Sequence, residues 1–324
     1  MSRIAFIFRA DVHASDKNPS SWKGDYQAEI WSDLESIGQM ARDYKVTAVL
    51  DAGDYFHVKA PSRNSYTLMY RTVNIHTQYK CPTYSIVGNH DISYNNLDSI
   101  DHQPLGLLYA CGVFKHLKEE VFRDGDIQVR IVGVPYNSKR TLDDLLAIRK
   151  QPGDTYLVAV VHALASEVVS SRTGELFKEP LFGYKDLVSP EGPDLWAFGH
   201  GHQDQGVVII QGKYFVNQGA VSRGALTYEN IERTPQVSLL EFTTSGIVVK
   251  LLPLTVAPAE EVFDFEKKKR EESETHSIDH FIEQLQEDAT FDSNATIEDN
   301  IRSLDFVVEV RDLALAYLER ARVG

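Results

Sequence analysis

The chain alternates short apolar runs with segments whose apolar residues recur at every third or fourth position. Residues 3–9 (RIAFIFR) are β-branched and aromatic and predict a buried strand. Over 26–44, Ile30, Leu34, Ile37 and Ala41 fall on one face of a helix. Residues 46–50 (VTAVL) and 83–87 (TYSIV) predict two further strands, and Ser62 is placed to cap a helix over 63–79 between them. The second half is richer in strands, at 127–134, 155–161, 194–198, 206–210 and 214–217. A hairpin follows at 236–242 and 247–252, turning through Thr243-Thr244-Ser245-Gly246. Strands alternating with helices, then strands alone, predict an α/β fold over residues 1–255: a two-sheet β-sandwich flanked by helices.

The pattern changes near Pro258. The charged run 266–274 (EKKKREESE) reads as a solvated helix or linker. Two amphipathic helices are predicted after it. One covers 278–287, with Ile278, Phe281, Ile282 and Leu285 on one face, and the other 297–321, capped by Thr296. Residues 256–324 therefore read as a short helical C-terminal segment. Its apolar faces either cover a sheet edge or engage a partner, and the spacer-like charged run tips the reading toward a partner.

Composition changes this picture in two places. The chain of 324 residues carries a net charge of −14, which on its face argues against a nucleic-acid partner. Yet residues 254–324 hold 18 acidic and 8 basic side chains, leaving a balance of only −4 for residues 1–253. The body is thus nearly neutral, and cations bound at its carboxylates would offset it further. No apolar run reaches the ~18–20 residues that span a bilayer, and the start lacks a secretory pattern. Cys81 and Cys111 are not spaced as a thiolate metal site. These features predict a cytoplasmic protein with no membrane partner.

Five clusters of polar residues each follow a predicted strand. They are Asp11 and His13 (D-V-H), Asp54 and His57 (G-D-Y-F-H), Asn89, His90 and Asp91 (G-N-H-D), His162, and His200 and His202 (G-H-G-H). Loops at the carboxyl ends of strands are where open α/β sheets build their sites. Any one cluster has an ordinary explanation: a lone histidine after a strand is a polar loop residue, and Gly-Asn is turn chemistry. Five in order, each after a strand, are not explained that way. Carboxylate, amide and imidazole ligands without thiolate suit a pair of divalent cations such as Mn²⁺, Fe²⁺, Zn²⁺ or Mg²⁺. A shared carboxylate can hold such a pair ~3.5–4 Å apart and clamp a phosphoester between them.

The order D-x-H, G-D, G-N-H-D, H, G-H-x-H resembles that of the calcineurin-like metallophosphoesterase superfamily over about residues 3–250. The resemblance implies a two-sheet α/β sandwich with a dinuclear site at one edge. It assigns Asp11, His13, Asp54 and His202 to one metal, and Asp54, Asn89, His162 and His200 to the other, Asp54 bridging. His90 then steadies the phosphate or protonates the leaving group, and Asp91 orients His90 or its loop. The stretch GDYFHVKAPS departs from the GDYVDRG of protein phosphatases and is similar to the G-D-x-F-H-x-x-x-P-S of SbcD-type DNA repair exonucleases. There a histidine at the place of His57 assists phosphate placement. The late N-Q-G-A-V-S-R (217–223) resembles another element of that branch.

That likeness implies DNA as substrate, Mn²⁺ as the first-choice metal, and the cytoplasm of a bacterial or phage-infected cell. Only about 70 residues follow the resemblance, so a full capping domain is not expected, and a compact phage-type form suits the chain. The implied partners are DNA and either an SbcC-type ATPase subunit or a second copy, engaged through the C-terminal helices. Lys59, Arg63, Lys139, Arg140 and Arg223 are candidates for phosphate contact, and Tyr136 and Tyr228 for base stacking, although such residues are more often solvated or packed. Two other readings stay open: hydrolysis of a small phosphodiester or phosphomonoester, such as a cyclic nucleotide or a phosphoprotein, and a non-catalytic scaffold. The complete ligand set weighs against the scaffold.

Overall fold

A computed structural model describes residues 2–169, 179–267 and 269–270, with the backbone alone at Tyr228 and Glu229. Met1–Phe263 group into one compact unit, which contains both large sheets and the helices packed on them. The helices expected at 278–287 and 297–321, and with them the partner surface, lie outside the described residues, as does the side chain of Tyr228.

The strands are β1 (Arg3–Arg9), β2 (Ala48–Asp51), β3 (Thr83–Ser85), β4 (Phe114–His116), β5 (Glu119–Asp124), β6 (Ile127–Val134), β7 (Tyr156–His162), β8 (Leu164–Ser166), β9 (Leu181–Gly183), β10 (Leu195–Gly199), β11 (Gly206–Ile210), β12 (Lys213–Asn217), β13 (Gln236–Thr243) and β14 (Gly246–Pro253). The helices that matter here are α1 (Tyr26–Asp43), α2 (Tyr66–Thr77) and α3 (Pro104–Ala110). One six-stranded sheet has the order β14-β13-β1-β2-β3-β4 and the other β11-β12-β10-β7-β6-β5. The expected two-sheet α/β sandwich with flanking helices is present.

Period-2 patterning divides the sheets into faces. On β1, Ile4, Phe6 and Phe8 enter the core between the sheets with Leu50, Val158, Val160, Leu195 and Leu240. Ala5 and Ile7 point the other way, onto Ile30, Leu34 and Ile37 of α1. Beyond the second sheet, Val161, Trp196, Phe198 and Phe215 form a third apolar layer with Tyr184 and Leu187. β1, β2, β3 and β4 run parallel, joined in turn by α1, α2 and α3, so the loops after β1, β2 and β3 leave the same edge. β6, β7 and β10 are parallel in the second sheet.

Some expectations are corrected. The α2 cap is Ser65, whose Oγ accepts from the Leu68 N–H at 3.0 Å, whereas Ser62 sits in a short 3₁₀ turn at Pro61–Arg63. Pro61 and the extended backbone at Asn64 delay the helix by one turn. β4, β5 and the β8–β9 pair have no counterpart in the apolar pattern. β5 (EEVFRD) is an edge strand with mostly exposed side chains, and β4, β8 and β9 have three residues each, too few for a period.

One buried group is at odds with its surroundings. Asp33 lies on the inner face of α1, and among the described residues neither carboxylate oxygen has a hydrogen-bond partner. Arg223 pairs with Glu29 at 2.8 Å, and Arg233 donates to Asn230 Oδ1 and to the carbonyls of Ala220 and Ser222. Burial, reinforced by Glu29, pushes the Asp33 pKa up to about 8. An unfolded aspartate titrates near ~3.9. Between those values the folded chain holds a proton that the unfolded chain has lost, so this residue's contribution to stability declines as pH rises from about 4 toward about 8. Asp33→Asn is expected to remove that component. Urea midpoints across this pH range should diverge from wild type progressively toward pH 8, in favour of the variant, and parallel curves would contradict the assignment.

Candidate metal centre

The five expected clusters all leave strand ends on one edge and meet. The loops after β1 and β2 are laced together: Asp11 N–H donates to the Gly53 carbonyl at 3.2 Å, His13 N–H to Asp54 at 3.0 Å, and Ala14 N–H to Tyr55 at 2.8 Å. Four of the candidate ligands occupy left-handed backbone: Asp11 (φ 55°), His13 (φ 50°), Asp54 (φ 53°) and His200 (φ 81°). Such conformations cost a non-glycine residue roughly 1–3 kcal/mol and cluster at functional sites.

The third loop lies directly on the second. Gly53 adopts φ 93°, and a Cβ there would come within 2.6 Å of the Gly88 nitrogen. A Cβ on Gly88 would in turn run into Asp54. The glycines of G-D and G-N-H-D are thus required for close approach. Asp91 Oδ2 accepts from the Asp54 N–H at 2.8 Å and from the Gly88 N–H at 2.9 Å. Of the two roles the sequence left open for Asp91, the contacts are with the loop and not with the His90 ring. The ring is set instead by the His57 carbonyl, which takes His90 Nδ1–H at 2.8 Å and leaves Nε2 without a hydrogen bond among the described residues.

Asp54 sits at the centre. Its Oδ1 accepts from the His90 N–H at 2.7 Å, and its Oδ2 lies 3.5 Å from His162 Nε2 and 3.9 Å from His13 Nε2. His162 Nδ1–H donates to the Ala52 carbonyl at 2.6 Å, which turns Nε2 toward Asp54 and toward Asn89 Oδ1, 3.0 Å away. His202 Nε2 lies 3.0 Å from His13 Nε2 and 3.8 Å from Asp11 Oδ1. Both Asp11 oxygens accept the His200 N–H, at 3.0 and 3.1 Å.

Two donor groups that share Asp54 result, Asp11–His13–Asp54–His202 and Asp54–His162–His200, each with its donor atoms within 4.8 Å of one another; His13, His57 and His90 form a third such group, without a carboxylate. Asn89 adjoins the second through His162. Ligand bonds of ~2.0–2.2 Å place donors around one ion no more than about 4.4 Å apart, so small side-chain shifts bring these donors onto an ion.

The electrostatics fit cations. Burial pushes the Asp11 pKa up to about 7, with Asp54 adding to it against the pull of His162. Asp54 stays well below the ordinary carboxylate range despite burial, because His162, His13 and His90 surround it. Burial opposes charge on His162, but Asp54 outweighs it and lifts the pKa to about 9. Burial lowers His13 far below its usual value and His202 to about 4, so both are neutral donors. Once the Nε2 proton of His162 is displaced, its Nε2 lone pair, Asn89 Oδ1 and Asp54 Oδ2 are all acceptors facing one another, an arrangement that a divalent ion would satisfy.

On the open side, the His57 and His90 rings stack at 5.4 Å and 25°. Burial, then His90, lowers the His57 pKa. A cleft of about 550 Å³ opens there, walled by His13, His57, His90 and His202 together with Lys17 and Arg63. The late segment 217–223 braces the floor: Val221 N–H donates to the Ala10 carbonyl at 3.0 Å, and Ala220 N–H to that of His202 at 3.1 Å.

Of the candidate phosphate contacts, Arg63 lines this cleft. Lys59 and Lys139 are exposed, outside its lining. Arg140 donates to the Pro135 carbonyl at 2.9 Å. Arg223 is corrected: it is buried, paired to Glu29 at 2.8 Å and bonded to the Ala257 carbonyl at 2.8 Å. Tyr136 is corrected as well. It is buried, and its hydroxyl donates to Glu179 Oε1 at 2.6 Å, so its ring has no open face for a base. Burial, then Glu179, raises its pKa. Glu179 was not anticipated, yet its Oε2 lies 2.8 Å from His200 Nε2. No motif surrounds it, so nothing in the sequence singled it out.

The sequence profile of the calcineurin-like phosphoesterases matches residues 4–204. The chain belongs to that family. Membership makes it a hydrolase by family, with a candidate metal-binding site formed as above. It is also 26% identical over 234 residues to the DNA double-strand break repair protein Mre11 of Archaeoglobus fulgidus, across 68% of this chain and 50% of that protein. The chain therefore spans about half the length of that curated relative. Among solved structures, a protein assigned as a 5′-nucleotidase from Staphylococcus aureus aligns at a TM-score of 0.48 and 16% identity, over 83% of this chain and 57% of that one. The sulfate thiohydrolase SoxB of Thermus thermophilus aligns at 0.45 and 12%, over 82% and 59%. Among the described residues, no helix is long and apolar enough to cross a membrane.

Because Asp54 belongs to both donor groups, Asp54→Asn is expected to reduce bound Mn²⁺ at both positions, whereas His202→Ala reduces it at one. Elemental analysis after equilibration with Mn²⁺ reads this directly. Full metal content in the Asp54→Asn protein would refute the shared role.

Proposed function

We propose that this protein is a two-metal phosphodiesterase acting on DNA, with Mn²⁺ the first choice of ion. The observation that carries the reading is the pair of donor groups joined at Asp54, with His90 and His57 stacked on their open side next to a cleft that has Lys17 and Arg63 in its wall. Asp11, His13, Asp54 and His202 would hold one ion, and Asp54, Asn89, His162 and His200 the other. Bound there, the two ions would lower the pKa of a water and neutralise charge on the phosphoryl oxygens.

The chain's own residues do the rest. His90 presents Nε2 to the cleft because its Nδ1–H is spent on the His57 carbonyl, so Nε2 can hydrogen-bond a phosphate oxygen or pass a proton to the leaving oxygen. Its backbone N–H is fixed on Asp54 Oδ1, which ties its position to the carboxylate that the two donor groups share. Asp91 acts at one remove: it clamps the Asp54 and Gly88 nitrogens, so it positions the loops rather than the reacting atoms. His57 supports the His90 ring by stacking and offers its own edge to the cleft. Arg63 and Lys17 would meet flanking phosphates.

DNA as the ester is supported by the GDYFHVKAPS stretch and by the similarity to the archaeal Mre11 protein. An ATPase partner or a second copy, engaged through residues 256–324, belongs to the same proposal on the strength of the sequence pattern alone.

End-labelled linear and circular duplex DNA, cyclic nucleotides and bis-nitrophenyl phosphate, each with Mn²⁺ and with Mg²⁺, separate the substrate classes. Cleavage of DNA is expected, faster with Mn²⁺. His90→Asn should lower it by ~10²–10⁴-fold, the usual contribution of a positioned acid or base, at unchanged metal content. Rapid turnover of small esters with no DNA form cut would move the assignment to a small phosphoester. Wild-type rates in His90→Asn would remove His90 from the chemistry.

A further inference from the structure

The imidazoles at this centre are not oriented alike. His162 is fixed by a backbone carbonyl, that of Ala52, and His90 by that of His57. His200 instead meets a side-chain carboxylate, Glu179, which is distant from every motif. That carboxylate is held at both ends. Oε2 takes His200 Nε2–H at 2.8 Å, and Oε1 takes the Tyr136 hydroxyl proton at 2.6 Å. Tyr136 is itself anchored, since its backbone N–H donates to the Val87 carbonyl at 2.8 Å, just before the G-N-H-D loop. Its ring packs 5.5 Å from His200 and 6.0 Å from His162.

Local topology explains how a residue outside the motifs reaches this place. β8 begins two residues after His162, and β9 begins two residues after Glu179. The strands pair in parallel with Leu164 opposite Leu181, so the register places Glu179 level with the end of β7. The two-stranded sheet thus delivers one carboxylate to one imidazole. Among the described residues, the Asp54–His162–His200 group closes without Glu179, which sets it beside the donor group and not within it.

We propose that Glu179, buttressed by Tyr136, is a positioning residue for His200: by accepting the Nε2 proton it selects the tautomer whose Nδ1 lone pair is available to a divalent cation. The inference rests on the two-ion reading above. A neutral imidazole carries one N–H and one lone pair, so fixing the proton on Nε2 settles which nitrogen can donate to the ion. Asp11, which takes the backbone N–H of the same residue, fixes the other end of His200. Ring and backbone are then both restrained before any ion arrives.

The test uses the full chain, with Glu179→Gln and Tyr136→Phe. In metal-free protein, long-range ¹H–¹⁵N spectra should find His200 as the Nε2–H tautomer in wild type and as a mixture in Glu179→Gln. Calorimetric titration with Mn²⁺ should weaken binding at the His200 position by ~10–100-fold in Glu179→Gln, the usual effect of removing such a partner. The smaller loss is expected in Tyr136→Phe, with the His13–His202 position unchanged in both. An unaltered tautomer, or affinities within twofold of wild type in both variants, overturns the role of Glu179. Equal losses at both positions also overturn it, since they would report a general disturbance. Wild-type protein that takes up only one ion would instead sink the two-ion reading.

Discussion

The centre depends on a conformational constraint: donor side chains from five strand ends must turn back across those ends to one point. A strand that continues as strand carries its side chains away. Here Asp11, His13, Asp54 and His200 each adopt left-handed backbone within four residues of their strand ends, so the strained residues are themselves candidate donors. At ~1–3 kcal/mol apiece this strain persists only where the surroundings over-determine it. They do so by lacing the loops together, through Asp11 to Gly53, His13 to Asp54, and Asp54 and Gly88 to Asp91. Each loop holds its neighbour's conformation, and the two glycines let them approach closely enough to do it.

Below the loops lies a buried ion pair. Arg9 and Asp51 are opposite each other in the β1–β2 register and bond at 2.6 Å with neither side chain exposed. Arg9 also reaches the Tyr79 hydroxyl at 3.1 Å and His76 Nε2 at 3.0 Å, both from α2 and its end. Asp51 Oδ1 accepts the Gly53 N–H at 3.0 Å. Burying two charges is expensive, and a pair of this kind adds little net stability; breaking it leaves a lone buried charge at a cost of about 3–5 kcal/mol. Its value lies in register. It fixes the ends of the two strands that carry Asp11 and Asp54 and ties them to α2, so a slip of one residue would strand a charge in the core.

How much of this was legible in the sequence depends on the trace each feature leaves in the chain. Ligand types must be written as residues, and the strand before each loop as an apolar run, so the five clusters and the strands carrying them could be read. Asp91 was read as a loop or ring partner, and only the fold decides which nitrogen its oxygens reach. Arg223 looked like any cation near the edge, because its burial depends on Glu29 and Ala257 arriving from elsewhere. Edge strand β5 escaped notice because a strand exposed on most positions needs no apolar alternation. Glu179 escaped for another reason. It is brought to His200 by a three-residue strand pair, and pairs that short have no periodicity to detect.

The charge balance acquires a different meaning once the centre is in view. Asp11, Asp51, Asp54 and Asp91 are all buried within one small region, and Arg9 neutralises only Asp51 directly. Of the remainder, Asp54 leans on His162, while burial drives Asp11 toward about 7 and holds Asp91 well above the carboxylate range. Protons thus stand in part where cations would, and ions entering would have to displace them, so affinity must weaken as pH is lowered. The same exchange alters the field at the cleft. A formal charge of −14 counts Asp11 and Asp54 without the ions they would hold, and two divalent ions at the cleft floor would outweigh that pair of carboxylates locally. An acidic chain can in this way present a positive floor to a phosphodiester, because its negative charge is concentrated where the cations would bind and in residues 254–324.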